Sequence, residues 1–365
     1  MPNNKPKKIL IAPLDWGLGH TTRCIPIIGC IISLGHIPVF AGNDFQCSFI
    51  KETFGGIETI HIEGYNIRYS AWNRVGQAGI FAQLPGLMKV IQYERKWLME
   101  VCKKHSIDGI ISDNRYGLYH DTIPSVILTH QLNIQTGLGR VPNQMIQKLQ
   151  YHLLNRFSST WVVDSFDFPG LGGKLSHADI LPNKTQYLGL LSRFIPEKQF
   201  SKTSNGPIVI LISGPEPQRS NLSAILWKQV LAVDAKVIFI EGSDKAIVPN
   251  EIPGNITWYS HLSGTKLEEI IKSASIVISR SGYSTIMDLV ALNKRAILIP
   301  TPGQTEQLYL AKQLMQSGFF YSTSQSGFNL KKAMEISKKY SPNKLNLNGL
   351  YAKHERVIEQ WINSI

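Results

Sequence analysis

The residues best suited to chemistry fall in a few short segments. Gly17-Leu18-Gly19-His20-Thr21-Thr22-Arg23 follows an apolar run and opens a helical stretch. Small residues at such a turn let a ligand approach the backbone, and a helix N-terminus favours an anion or developing negative charge. His20 can take a proton from a hydroxyl, or simply hydrogen-bond the loop backbone. Arg23 can pair with a carboxylate or a phosphate, and an ion pair within the protein is the commoner fate. Asp113, at a strand end in Ser112-Asp113-Asn114-Arg115-Tyr116, is a second candidate base or a cap for the next turn.

In the second half, Ser279-Arg280-Ser281-Gly282-Tyr283-Ser284-Thr285-Ile286-Met287-Asp288 again joins an apolar run to a helix. Gly282, Ser284 and Thr285, beside Ser281, offer the backbone N–H and hydroxyl donors that phosphate oxygens need. Asp288, one turn on, can accept from ribose hydroxyls. A plain capped helix has the same start. Thr301-Pro302-Gly303-Gln304-Thr305-Glu306-Gln307 ends another apolar run, and Glu306 and Gln307 bring the acceptors and donors that vicinal sugar hydroxyls require. No Asp-x-Asp triplet or metal-spaced His/Cys cluster occurs, so neither a metal nor a cofactor is expected.

These segments need a scaffold that brings strand ends together. The runs at 9–12, 37–41, 109–112, 125–128 and 160–163 read as parallel strands separated by helices, the first helix spanning 22–34. A second series starts at 207–212 and continues at 236–240, 256–259, 276–279 and 296–300, with a helix over 222–231. The expected fold is α/β: two Rossmann-like doubly wound lobes facing across a cleft. Residues 1–191 form the acceptor-side lobe, 192–206 a linker, 207–342 the donor lobe, and 343–365 closing helices that pack back on the first lobe.

Composition agrees with this reading. The 365 residues are 43% hydrophobic and 18% charged, enough for two cored domains. The net charge of +12 is spread over both halves, unlike a nucleic-acid-binding arm. A diffuse positive field suits anionic small ligands or an anionic membrane surface. Cys24, Cys30, Cys47 and Cys102 form no C-x-x-C pair and read as reduced thiols. No run has signal-peptide or membrane-span character, so a cytoplasmic chain, at most peripheral at the inner face of the membrane, is expected. Tyr65, Tyr69, Trp72, Ile80, Phe81, Leu84, Leu87 and Met88, mixed with Arg68, Arg74 and Lys89, read either as an acceptor-binding flap or, over 89–104, as an amphipathic helix.

The Ser279–Ala311 block resembles the donor site of GT-B glycosyltransferases, especially family 28, with Gly282, Thr285, Asp288, Pro300, Glu306, Gln307 and Ala311 in its pattern. Asp288 stands where the family has Glu. Ile256-Thr257-Trp258-Tyr259-Ser260-His261-Leu262 is similar to the segment whose backbone reads uracil, implying Tyr259, His261 and Leu262 as donor contacts. Gly19-His20 resembles the family's N-terminal glycine loop, and His130-Gln131-Leu132-Asn133 its stretch at the cleft. The family's glycine loop after the first strand of lobe two is Ser213-Gly214-Pro215-Glu216-Pro217-Gln218-Arg219 here. Its prolines reduce backbone donation, leaving Gly214, with Arg219 either as a charge for the diphosphate or as a solvated side chain.

The resemblance implies metal-independent transfer of a sugar, with inversion, from a UDP-linked donor to a hydroxyl of a glycan or lipid-linked acceptor. His20 or Asp113 takes the proton. Three alternatives stay open. The Gly-His-x-x-Arg-Cys start also resembles nucleotide-sugar hydrolases of pseudaminic acid synthesis. A non-catalytic nucleotide-sugar-binding subunit or an epimerase has the same motifs. Gly17, Gly19 and Asp44 mimic a nicotinamide fingerprint, but its third glycine is missing.

Overall fold

A computed structural model describes residues 5–15, 17–64, 79–134, 139–196, 205–243, 246–341, 350–351 and 353–365, with backbone alone at 79–85 and 140. The chain divides into two compact units, Met1–Arg193 with Asn348–Ile365, and Phe194–Leu347.

Unit 1 holds strands β1 (Lys8–Pro13), β2 (Ile37–Gly42), β3 (Glu58–His61), β4 (Gly109–Asp113), β5 (Ser125–Thr129), β6 (Ser159–Val162) and β7 (Thr185–Tyr187). They pair in the order β3-β2-β1-β4-β5-β6-β7, and every pairing is parallel. All five residues of β4 and of β5 are buried, as expected of central strands covered by helices on both faces. Those helices are α1 (Leu18–Ser33), α2 (Asp44–Phe54), α3 (Gly79–His105), α4 (Arg140–Leu154) and, from the far end of the chain, α10 (Lys353–Asn363). The core over β1, β2 and β4 includes Leu10, Ala12, Val39, Ile110, Leu98 and Leu118. Burying each such Leu or Ile stabilises the unit by ~1.5–3 kcal/mol before chain entropy is counted.

Unit 2 repeats the plan with β8 (Ile208–Leu211), β9 (Val237–Ile240), β10 (Ile256–Tyr259), β11 (Ile276–Ser279), β12 (Ala296–Leu298) and β13 (Tyr321–Ser322). The order is β10-β9-β8-β11-β12-β13, again parallel. Its helices are α5 (Gln218–Val230), α6 (Gly264–Ser273), α7 (Tyr283–Ala291), α8 (Thr305–Gln316) and α9 (Leu330–Ser337).

In both sheets the winding direction reverses beside the first strand, between β1 and β4 and between β8 and β11. Crossover connections diverge there and leave a crevice at the carboxyl ends of the strands, where ligands of this architecture bind. Two helices begin four residues earlier than the apolar pattern predicts. Helix α1 starts at Leu18, so Gly19 and His20 lie inside its first turn, and α5 starts at Gln218, which puts Arg219 in a helix. The polar residues of these turns mask the helical period.

Candidate active site

The unit 1 switch point gathers five polar side chains: His20, Arg23, Asp113, Asn114 and His130. Pro13 ends β1, and Gly17, with φ of 81°, turns the chain into α1. Glycine is needed at Gly17 for that left-handed backbone rather than for space, since nothing lies within 4 Å of a Cβ placed there. The turn is held from the side by Gln46, whose Nε2 donates to Leu14 O at 3.2 Å and to Thr21 Oγ1 at 2.9 Å. Gln46 is itself fixed by a reciprocal capping box with Asn43.

Asp113 closes β4 and is fully buried. Arg23, on the second turn of α1 and 2% exposed, donates Nε to Asp113 Oδ2 at 2.5 Å and Nη2 to Asp113 Oδ1. His20 presents Nδ1 at 3.2 Å from each Asp113 oxygen and 2.8 Å from Arg23 Nη2. Arg23 Nη1 reaches Nδ1 of the buried His130, just past β5, at 3.1 Å. Asn114, with φ of 58°, completes the set. With its amide turned to the orientation that satisfies both ends, its N donates to Leu128 O and Thr129 Oγ1 at 3.2 Å each, and its oxygen accepts from Arg23 Nη2 at 3.1 Å.

Hydrogen counting then assigns the His20 tautomer. With the Asn114 amide turned so that its oxygen accepts from Arg23 Nη2, both Nη2 hydrogens are used, and we assign His20 Nδ1 the hydrogen that points to Asp113. Its Nε2 keeps a lone pair and meets no partner among the described residues. Burial and the neighbouring Arg23 charge lower the His20 pKa, against an opposing pull from Asp113. The imidazole is therefore neutral at pH 7, as a proton acceptor must be. Burial alone would raise the Asp113 carboxyl, but Arg23 and His20 outweigh it and hold it well below the usual carboxylate range. Asp113 thus orients His20 as a permanent anion and is too weak a base to collect the proton itself. Cys24, alongside, has its thiol pushed well up by burial, which keeps it out of nucleophilic chemistry.

The strand ends are braced from behind. Arg115, fully buried, donates Nε to Pro13 O at 3.0 Å and Nη1 to Glu94 Oε1 of α3 at 3.1 Å. Glu94 Oε2 accepts from Gly117 N at 2.9 Å. Farther along the sheet, buried Asp164 follows β6 and accepts from the N–H groups of Ser165, Leu171 and Gly172 at 2.8, 2.9 and 2.9 Å, and from Ser176 Oγ. It organises the whole 164–176 loop.

In unit 2 the expected donor residues all follow carboxyl ends of strands. Gly214 turns out of β8 with φ of 108°. Tyr259 ends β10 with the Lys266 ammonium 4.7 Å from its ring centre, and His261 and Leu262 follow it half-buried. Gly282 caps α7, so Ser284 and Thr285 fall in the first turn, whose N–H groups lack intrahelical acceptors. Asp288 sits on the next turn of α7, 5% exposed. Ser281 Oγ donates to Gln307 O at 2.9 Å, and Gln307 Oε1 accepts from Thr301 N at 2.9 Å. These bonds tie the loops after β11 and β12 together and leave Glu306 and Gln307 half-buried on the first turn of α8.

Arg219 differs from its expected role as a diphosphate charge. It lies between Glu216 and Glu241, donating Nη2 to Glu216 Oε1 with Nη1 3.7 Å from Glu241 Oε2, so its charge is already matched. Asp44 likewise pairs with His61 at 2.8 Å on an exposed face, away from any ribose role. The sequence reading left His130 and Asn114 without a role at the base, and Arg280 without any. The acceptor-side stretch lies largely outside the described residues, from Tyr65 through the side chain of Leu84. Among the described residues no three His, Cys, Asp or Glu side chains form a metal-binding group, and no helix is long and apolar enough to cross a membrane.

The chain is similar to several known proteins. Residues 226–355 match the model of the glycosyltransferase family 28 C-terminal domain. The UDP-N-acetylglucosamine--N-acetylmuramyl-(pentapeptide) pyrophosphoryl-undecaprenol N-acetylglucosamine transferase of Sulfurihydrogenibium sp. is 26% identical over 176 residues, 44% of this chain and 48% of that protein. The chain thus spans about half the length of that relative, and 58% of a second one from Buchnera aphidicola. An uncharacterized glycosyltransferase of Methanosarcina acetivorans is 24% identical over 86% of this chain and 84% of its own length. The solved glycotransferase of kitacinnamycin superposes with a TM-score of 0.68 at 13% identity, covering 99% of this chain and 100% of the other.

Proposed function

We propose that this chain, a family 28-like glycosyltransferase with a GT-B fold, moves a sugar from a nucleotide-sugar donor to an acceptor hydroxyl with inversion. The carrying observation is the His20–Asp113 pair at the β1/β4 switch point, with Nδ1 turned to the carboxylate and Nε2 without a partner among the described residues. The acceptor oxygen attacks the anomeric carbon while the bond from that carbon to the diphosphate oxygen breaks. The electron pair leaves with the diphosphate, and the acceptor proton passes to His20 Nε2. Asp113 steadies the imidazolium that forms. The N-terminus of α7 and the hydroxyls of Ser281, Ser284 and Thr285 stabilise the departing charge, without a metal. Asp288 takes ribose hydroxyls, Glu306 and Gln307 take sugar hydroxyls, and the backbone at Tyr259–Leu262 reads the base.

A UDP-sugar and a lipid-linked or glycan acceptor are the proposed partners, in line with the name of the Sulfurihydrogenibium relative. The net charge of +12 suits both an anionic donor and an acceptor presented on an anionic membrane surface at the cytoplasmic side. A thermal-shift panel of nucleoside diphosphates and nucleotide sugars tests the donor. A ligand at 100 times its Kd stabilises the folded state by about 2.7 kcal/mol, so UDP-sugars are expected to raise Tm by several degrees. A flat response to every nucleotide would refute the reading.

A further inference from the structure

Among the described residues three arginines are buried to within 2% exposure: Arg23, Arg115 and Arg280. Arg23 faces Asp113, and Arg115 faces Glu94. Arg280, just past β11, is 1% exposed and is held by carbonyls instead. Its Nη1 donates to Ile299 O and Pro300 O at 3.2 Å each, and its Nη2 donates to Gln218 O at 2.7 Å. Its Nε meets no acceptor. No carboxylate pairs with it among the described residues, and burial alone lowers its pKa, to about 10, which leaves it protonated at neutral pH.

The three carbonyls come from different places. Gln218 opens α5 after the Gly214 loop, while Ile299 and Pro300 lead into the Thr301–Gln307 segment. One guanidinium therefore cross-links the carboxyl-end loops of β8, β11 and β12. It does so with a full charge removed from water and not neutralised, an arrangement that is unfavourable until an anion comes near. The neighbouring Arg219 cannot serve in its place, because Glu216 and Glu241 already match it.

We infer that Arg280 is a positioning residue whose unmatched buried charge makes unit 2 select a diphosphate over an uncharged nucleoside, the bound diphosphate supplying the missing counter-charge. This rests on the nucleotide-sugar reading and assigns its electrostatic source. The charge acts through the loops it grips, with no need for the guanidinium to touch phosphate.

The test is calorimetric titration with UDP, dTDP, GDP and ADP, then with the nucleoside of whichever diphosphate binds best, for the full-length protein, Arg280→Met and Arg280→Lys. At an effective dielectric near 20, two unit charges roughly 7 Å apart attract by an amount worth roughly 10–100-fold in affinity. Arg280→Met is expected to lose that factor for the diphosphate while nucleoside affinity stays within about threefold. Arg280→Lys keeps the charge but not the three-carbonyl grip, so it is expected to melt at a lower temperature yet hold its diphosphate-to-nucleoside ratio within about fivefold of the parent. Equal losses for diphosphate and nucleoside in Arg280→Met, or loss of the ratio in Arg280→Lys, would overturn the charge assignment and leave the donor reading intact. Failure of the unaltered protein to bind any of the four diphosphates would overturn both.

Discussion

Arg23 donates its Nε to Asp113 at 2.5 Å and brings Nη2 to 2.8 Å from His20 Nδ1, so its guanidinium lies beside both the carboxylate and the imidazole that contacts it. In a simple His–Asp pair the carboxylate raises the histidine pKa. Here burial and then the Arg23 guanidinium outweigh that pull, so His20 is neutral at pH 7, as the proposed role of base requires.

Removing the base should separate chemistry from binding. His20→Ala is expected to lower kcat by about 100- to 10,000-fold, the range for general-base loss, while donor Kd changes by less than about threefold. Steady-state kinetics with calorimetric donor titration measures both. A donor Kd that weakens as much as kcat falls would make His20 a binding residue.

The pH profile follows from the same network. A base must be deprotonated, and the lowered His20 pKa places the acid limb of kcat/KM below 6.5. Arg23→Gln removes the second-largest lowering influence, so the limb should move to higher pH. Arg23→Lys keeps the charge and should leave it near its original place. The glutamine variant also strips buried Asp113 of its counter-ion, a change that costs about 3–5 kcal/mol in comparable buried pairs. Profiles are therefore best read on the fraction that remains folded by circular dichroism. An acid limb that shifts downward in Arg23→Gln would contradict the assignment.

At the proposed donor side, Asp288→Asn keeps size and removes the charge of the carboxylate proposed to accept ribose hydroxyls. The expected result is a donor KM raised by about 10-fold with kcat within about threefold, since an interaction made equally in ground and transition states affects binding alone. An unchanged KM would mean Asp288 merely helps to build the second turn of α7.

A structural prediction concerns Asp164. Asp164→Asn replaces one acceptor oxygen by an NH2 group facing either the Ser165 and Leu171 N–H groups or Gly172 N and Ser176 Oγ. Leaving such donors unsatisfied costs roughly 2–4 kcal/mol, or about 4–16 °C in the Tm of a unit this size. Turnover per folded molecule should hold, and a melting curve beside a turnover assay checks the pair of claims.

Much of this was readable from the residues. Continuous apolar runs such as Ile276–Ser279 mark buried parallel strands because both faces must be covered. Glycine at turns and Asp113 at a strand end then point to the switch points. Short edge elements were missed. Thr185–Tyr187 and Tyr321–Ser322 are too brief and too polar to show a period. Pairings over long separations were equally hidden. Arg23 and Asp113 lie 90 residues apart, and Arg280 takes its carbonyls from 62 and about 20 residues away. Nothing local says that Arg219 is neutralised while Arg280, inside a recognised motif, is not. Only the folded loops reveal which charge is spent.

The most direct test is acceptor-dependent release of nucleoside diphosphate. Whichever nucleotide sugar stabilises the protein is incubated with and without candidate lipid-linked or glycan acceptors, and both products are followed by mass spectrometry. The account predicts diphosphate release that rises at least about 100-fold with acceptor, matched mole for mole by a glycosylated product of inverted anomeric configuration, and lost in His20→Ala. Release at the same rate into water alone, with free sugar as the product, would contradict it.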